Sequence, residues 1–212
     1  MRVQILIDIK DSFFHQYIDQ LKSNIKPLKH RIKIINSHRK IKKGDVLFLI
    51  SCKTILNKQI LSKNSKNVVI HPSKLPLGRG SAAVAWRVLE NKKKIFITLF
   101  EANERIDRGD IYIQKFFRLD GSELSDEIRE KQAKLTISLI KIFLKKMKKI
   151  KKRPQLGKVS FYRKRTKKDS KININKSIRK QFNLLRVADN TRYPAFFYFK
   201  KKKYILKIYA QK

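Results

Sequence analysis

Acidic side chains are scarce in this chain. Only 16 Asp and Glu stand against 54 Lys and Arg, for a formal charge of +38 over 212 residues. Cysteine is scarcer still: Cys52 stands alone, which excludes a disulfide framework and a cysteine-based zinc site. No apolar run approaches the length of a membrane span. Residues 1–3 lead straight into a strand-like stretch, so no signal peptide is expected and the cytoplasm is the simplest compartment. Neither a GxGxxG nor a Walker loop follows that first strand, which removes support for a dinucleotide or triphosphate site. What is present is a hydrophobic content of 42% with 10% aromatics, the composition of a globular protein. The length suits one α/β domain with an appendage.

So large a charge would by itself point to nucleic acid, because such a field gathers polyanions. The lysines, however, are spread over almost every segment, and arginine is much the rarer. That distribution favours a compositional bias of the whole surface over a nucleic-acid face. It would still help to collect anionic substrates.

Taken in order, residues 3–9 (VQILIDI) alternate and are rich in β-branched side chains, the mark of a strand. Asp11 and Ser12 supply an N-cap signal for a helix with Phe13, Phe14, Tyr17, Ile18 and Leu21 on one face. Residues 31–36 (RIKIIN) form a second strand. Residues 46–50 (VLFLI) are continuously apolar, as in a strand covered on both faces. This order predicts a Rossmann-like, doubly wound and mostly parallel sheet. The loop at 51–56 (SCKTIL) then falls at a strand's carboxyl end, where such sheets bind ligands. Further strands are expected at 94–100 and 111–117, a helix at 82–90, and a long amphipathic helix at about 123–149. Ile128, Leu135, Leu139, Ile142 and Phe143 recur along the long helix, and Glu123, Asp126 and Glu127 load the positive end of its dipole.

The stretch at 67–80 (NVVIHPSKLPLGRG) carries the chemistry. A buried strand ends on a histidine and opens into a turn punctuated by proline and glycine. Histidine is the side chain whose ordinary pKa lets it exchange protons near neutrality. The segment at 105–110 (RIDRGD) offers Asp107 and Asp110 ahead of the apolar run beginning at Ile111. Two strand-end loops, one with His and one with Asp, suit an acid/base pair.

HPSKLP followed by GRG, and IDRGDIYIQ some thirty residues later, resembles the formyltransferases that use 10-formyltetrahydrofolate. That family includes methionyl-tRNA formyltransferase, glycinamide ribonucleotide transformylase and the sugar N-formyltransferases. The resemblance implies that His71 is the catalytic histidine and Asp107 the catalytic aspartate. It implies that Thr54, Ile55 and Leu56 hold the folate, with Asn103 in the loop that closes over it. Ser73, Arg79 and Gly80 fall on the substrate side. No metal is implied. Two departures stand out. The family's catalytic Asn, two residues before the His, is Val69 here, and Ser81-Ala82-Ala83 replaces a Trp-Ser-Pro of relatives. Asn67 lies four residues before His71, roughly 13 Å down an extended strand, and cannot stand in. Asn103 is the nearest amide that would replace the missing donor. The purine enzyme's Gly-Ser-Asn phosphate loop is absent near the start of the chain.

Pro154 marks a boundary, giving a catalytic domain at 1–153 and an extension at 154–212. The extension predicts a short strand at 159–163, a helix opened by Asn175 and Ser177, and a β-hairpin at 193–209 around the lysines at 200–203. RKRTKKDS and NLLRVADNTRYPAFF resemble the tails of small sugar N-formyltransferases, which puts Arg186 and Tyr193 on the substrate side. The expected acceptor is then the amine of a nucleotide-linked amino sugar, on a route to surface polysaccharide. The alternatives are a methionyl-tRNA formyltransferase-like enzyme, or a degenerate relative that binds folate or RNA without turnover. The apolar hairpin suits a homodimer contact as well as a core.

Overall fold

The structure, a computed structural model, describes residues 1–211. Its centre is a six-stranded sheet built from β1 (Arg2–Leu6), β2 (Arg31–Ile35), β3 (Gly44–Ile50), β4 (Asn64–His71), β6 (Lys94–Glu101) and β7 (Ile111–Arg118). The order across the sheet is β2-β1-β3-β4-β6-β7. The first four strands are parallel, whereas β6 runs antiparallel to both its neighbours. The mostly parallel α/β sheet expected from the sequence is therefore present. β6 and β7 pair antiparallel because residues 102–110 join them directly, with no crossover helix between them.

One face of the sheet buries Val3, Ile5, Val46, Phe48, Ile50, Val68, Ile70, Ile97 and Leu99. They pack against α1 (Ile18–Ile25) and the long α4 (Ser125–Lys146). The alternate residues Leu6, Leu47 and Leu49 face a second, smaller cluster with Ile35, Ile41 and Leu56. Every residue at 46–50 is buried, which is why that run reads as apolar without alternation. Along α4 the buried stripe is Ile128, Ala133, Ile137, Leu139, Ile140, Phe143 and Leu144. Ile142, expected in that stripe, points to solvent. Glu127 accepts the Leu124 N–H at 2.9 Å and caps the helix start.

Two short helices, α2 (Lys58–Leu61) and α3 (Ala83–Leu89), flank the sheet. The extension adds α5 (Ile178–Arg186) and the hairpin β9 (Ala195–Phe199) and β10 (Lys202–Leu206). The turn uses Lys200 and Lys201 alone, both at positive φ as a two-residue hairpin turn requires, while Lys202 and Lys203 belong to β10. β5 (Arg79–Gly80) pairs in parallel with β8 (Phe161–Tyr162), so the extension is stitched to the loop that follows His71. Among the described residues no helix is long and apolar enough to cross a membrane.

Candidate active site

His71 is the last residue of β4, and only 8% of its surface is exposed. Its Nε2 lies 2.8 Å from the Gly78 carbonyl. A carbonyl only accepts, so Nε2 donates there and Nδ1 is the ring nitrogen left for chemistry. Nδ1 faces Asp107, 3.8 Å from Oδ2. That gap is too long for a hydrogen bond but close enough for a strong interaction once the ring is charged. Asp107 adopts a left-handed φ of 52°, and its Oδ2 accepts the Gly80 N–H at 2.8 Å. Gly80 is required at this point. Its φ is 97°, and a Cβ would sit 2.4 Å from the Tyr162 carbonyl oxygen. The two loops singled out in the sequence thus meet, with the amide of one holding the carboxylate of the other.

Beside the pair opens a cleft of about 1100 Å³. Its apolar wall includes Ile50 and Val69 toward the carboxyl ends of β3 and β4, Phe100 of β6, and Leu56 and Ile106 on loops. This volume lies at the upper end of the roughly 300–1,000 Å³ of an ordinary small-molecule site. Thr54, Ile55, Asn103, Gly80 and Tyr193 also line it. The Thr54 N–H is already committed to Asp8, whose carboxylate takes it at 3.0 Å and the Lys53 N–H at 2.8 Å. That N–H is therefore closed to any ligand in the cleft. Asn103 accepts the Arg105 N–H at 3.0 Å and so braces the loop leading to Asp107. Val69 lines the cleft with no amide to offer, and Asn67 donates instead to the Leu61 carbonyl at 2.8 Å.

Three expected site residues do not reach the cleft. Ser73 is fully buried; its hydroxyl donates to Leu77 O at 2.8 Å, and its carbonyl accepts from Thr98 Oγ1 at 2.6 Å. It holds the turn after His71 together. Arg79 is buried behind the dyad, donating to Gln155 Oε1 at 2.7 Å. Arg186 is buried against Glu123, with Nη2 to Oε2 at 3.0 Å and Nε to the Glu123 carbonyl at 2.8 Å. It ties α5 to the start of α4. Polar side chains in a motif segment read as ligand-facing, but each of these is consumed by a local partner that only the folded chain supplies.

Sequence reasoning missed Asp8, Gln155 and Ser160. Gln155 donates to the carbonyls of Asp107 and Gly109 at 2.9 and 2.8 Å, and Ser160 Oγ accepts the Gly78 N–H at 2.9 Å. Their partners lie 45 or more residues away in the chain, beyond the reach of local pattern.

A family model described as formyl transferase matches residues 30–141, more than half of the chain. A methionyl-tRNA formyltransferase of Thermodesulfovibrio yellowstonii is 33% identical over 135 residues, which is 62% of this chain and 44% of that protein. Another, from Sulfurihydrogenibium sp., is 29% identical over 181 residues, 79% of this chain and 57% of the relative. The chain thus spans about half the length of these curated relatives. Among solved structures, the methionyl-tRNA formyltransferase from Clostridium thermocellum superposes with a TM-score of 0.81 at 19% identity, covering 100% of this chain and 94% of the other. A sugar N-formyltransferase from Shewanella sp. gives 0.74 at 18% identity, covering 100% and 98%. HypX from Aquifex aeolicus in complex with tetrahydrofolic acid gives 0.80 at 17% identity, covering 98% of this chain and 37% of the other. At such identities these three likenesses speak for the fold.

Proposed function

Because the chain belongs to the formyl transferase family, we propose that it moves a formyl group from 10-formyltetrahydrofolate to a primary amine, with His71 and Asp107 carrying the step. The observation behind this reading is the pair itself: the free nitrogen of one buried imidazole faces one carboxylate at 3.8 Å, on the edge of a cleft with an apolar wall. The acceptor amine bonds to the formyl carbon, negative charge collects on the formyl oxygen, the bond to N10 breaks, and N10 takes up a proton. Protonated His71 donates through Nδ1 to that oxygen. A donor of this kind is commonly worth about 3–4 kcal/mol. Asp107 steadies the charged ring and, through a water, takes the proton lost by the attacking amine. With Val69 where the family has an amide, His71 carries the oxyanion with one donor fewer.

The folate is assigned to the wall at Thr54, Ile55 and Leu56 and the Asn103 loop. The acceptor is assigned to the side bounded by Gly80 and Tyr193. We take the acceptor to be the amine of a nucleotide-linked amino sugar. The support is that residues of the extension, Tyr162, Lys164, Arg165 and Tyr193, wall one side of the cleft, and that this extension resembles the tails of sugar N-formyltransferases. Methionyl-tRNA is the second reading, favoured by the names of the curated relatives. Purified protein supplied with 10-formyltetrahydrofolate and either a panel of UDP- and dTDP-amino sugars or methionyl-tRNA decides between them. A mass gain of one formyl group on an amino sugar is expected. Formylation of methionyl-tRNA alone would replace the sugar reading, and no product on any amine would end the proposal.

A further inference from the structure

Residues 153–162, at the junction with the extension, touch both catalytic loops, although no motif marks them. We propose that residues 153–162 form a strap that sets the geometry of the His71–Asp107 pair, with Gln155 as its positioning residue. The inference rests on the formyl-transfer reading of that pair. At one end, Arg153 exchanges backbone hydrogen bonds with Ile111, at 3.0 and 2.8 Å, and anchors the strap to the start of β7. Two residues on, the Gln155 amide nitrogen holds the carbonyls of Asp107 and Gly109 together. Its oxygen accepts from Arg79 Nη2 at 2.7 Å. Both halves of the amide are used, so a flip would set its oxygen against two carbonyls, and Arg79 fixes the orientation. At the other end, Ser160 Oγ holds the Gly78 N–H, and the Gly78 carbonyl holds His71 Nε2. Tyr162 O accepts the Ser81 N–H at 3.0 Å, beside the Gly80 amide that grips Asp107.

The arrangement explains why Arg79 is buried in a motif yet faces away from the cleft. It also accounts for Asp107 persisting at a left-handed φ that an aspartate adopts only when its surroundings impose it. Gly109 completes the loop, because a Cβ there would meet the Glu101 carbonyl oxygen at 1.6 Å. Gln155 itself does not line the cleft. It acts through Asp107 and His71.

The test is Gln155→Glu, which keeps the shape of the side chain and its bond to Arg79 but loses the donor to both carbonyls. Formyl transfer should fall about 100-fold in kcat with KM for the formyl donor little changed, as expected when a reacting group is displaced. Amide hydrogen exchange at Gly80, whose N–H is held by Asp107, should quicken about ten-fold while the amides of β3 keep their protection. A variant with parental kcat, or with Gly80 exchange unchanged, overturns the strap. Should Gln155→Glu fail to fold, Gln155→Met offers the same two readouts without a buried charge. The Gly80 measurement needs no substrate. An unchanged rate there sinks the strap whatever the acceptor is, whereas absence of formyl transfer in the parent protein sinks the proposed function and leaves the exchange result to judge the strap.

Discussion

Half-buried Asp107 and buried Glu123 are both carboxylates facing nitrogen-bearing side chains, and they are held in opposite ways. Glu123 is saturated: Oε1 takes the Asp120 N–H and the Lys131 ammonium, and Oε2 takes the Gly121 N–H and Arg186. Burial pushes its carboxyl up, but Lys131 and the backbone N–H groups outweigh that and hold it below its ordinary value. Asp107 Oδ2 takes one backbone N–H and leaves the His71 ring 3.8 Å away beside an open cleft. A group with every lone pair filled fixes structure. A group with capacity to spare, at the edge of a cleft, is available for proton transfer. The contrast separates Arg186, expected on the substrate side, from His71, expected as the catalytic histidine: one closes a structural ion pair, the other faces the cleft.

The largest effect expected is on turnover. His71→Ala and Asp107→Ala should each lower kcat by roughly 100- to 1,000-fold or more, with unfolding temperature little changed. Arg186→Ala should do the reverse, losing about 2–3 kcal/mol of stability through its bonds to Glu123, which keeps Lys131 and two backbone N–H groups, while the folded fraction keeps its kinetic constants. Denaturant unfolding paired with steady-state kinetics reads both, and a fully stable but inactive Arg186→Ala would break the comparison. Gly109→Ala comes next. Its Cβ cannot coexist with the Glu101 carbonyl, so the loop must shift and both stability and kcat should drop by measurable amounts.

A third carboxylate sharpens the rule through pH. Burial would raise Asp189, but the Arg192 N–H and the guanidinium groups of Arg129 and Arg192 outweigh it and hold the carboxyl well below the usual range. A depressed folded-state pKa contributes stability above the unfolded value, near 3.9, and that stability drains away as pH falls toward the folded value. Thermal unfolding should therefore weaken steeply below about pH 4, and Asp189→Asn should flatten that decline. The smallest effect is expected from Val69→Asn. Restoring an amide at the cleft wall should raise kcat several-fold, up to the roughly 100-fold worth of one oxyanion donor. No gain would indicate that another group already fills that role.

Most of the sheet was legible in the chain because burial on two faces imposes an unmistakable pattern. The run at 46–50 has no alternation, and β1 begins at once with β-branched residues. His71 and Asp107 were legible through the punctuation around them, since the strand ends and tight turns that present a reactive group demand proline and glycine at fixed places. Ser73, Arg79 and Arg186 were misjudged for one shared reason. Each is taken up by another protein group: Ser73 closes on a carbonyl of its own turn, whereas Arg79 and Arg186 donate to an amide and a carboxylate of distant segments, and no local pattern reveals whether a polar side chain will find such a partner.

The amino-acid order alone determined the parallel α/β core, the two loops that carry an imidazole and a carboxylate, and the break in character after Pro154. Periodicity and turn chemistry act over a few residues, and each of these features is short-ranged. Only the tertiary structure decided which polar groups face the cleft and that the extension grips both reactive loops. Those outcomes depend on hydrogen bonds closed between segments dozens of residues apart, whose geometry exists only once the core has formed.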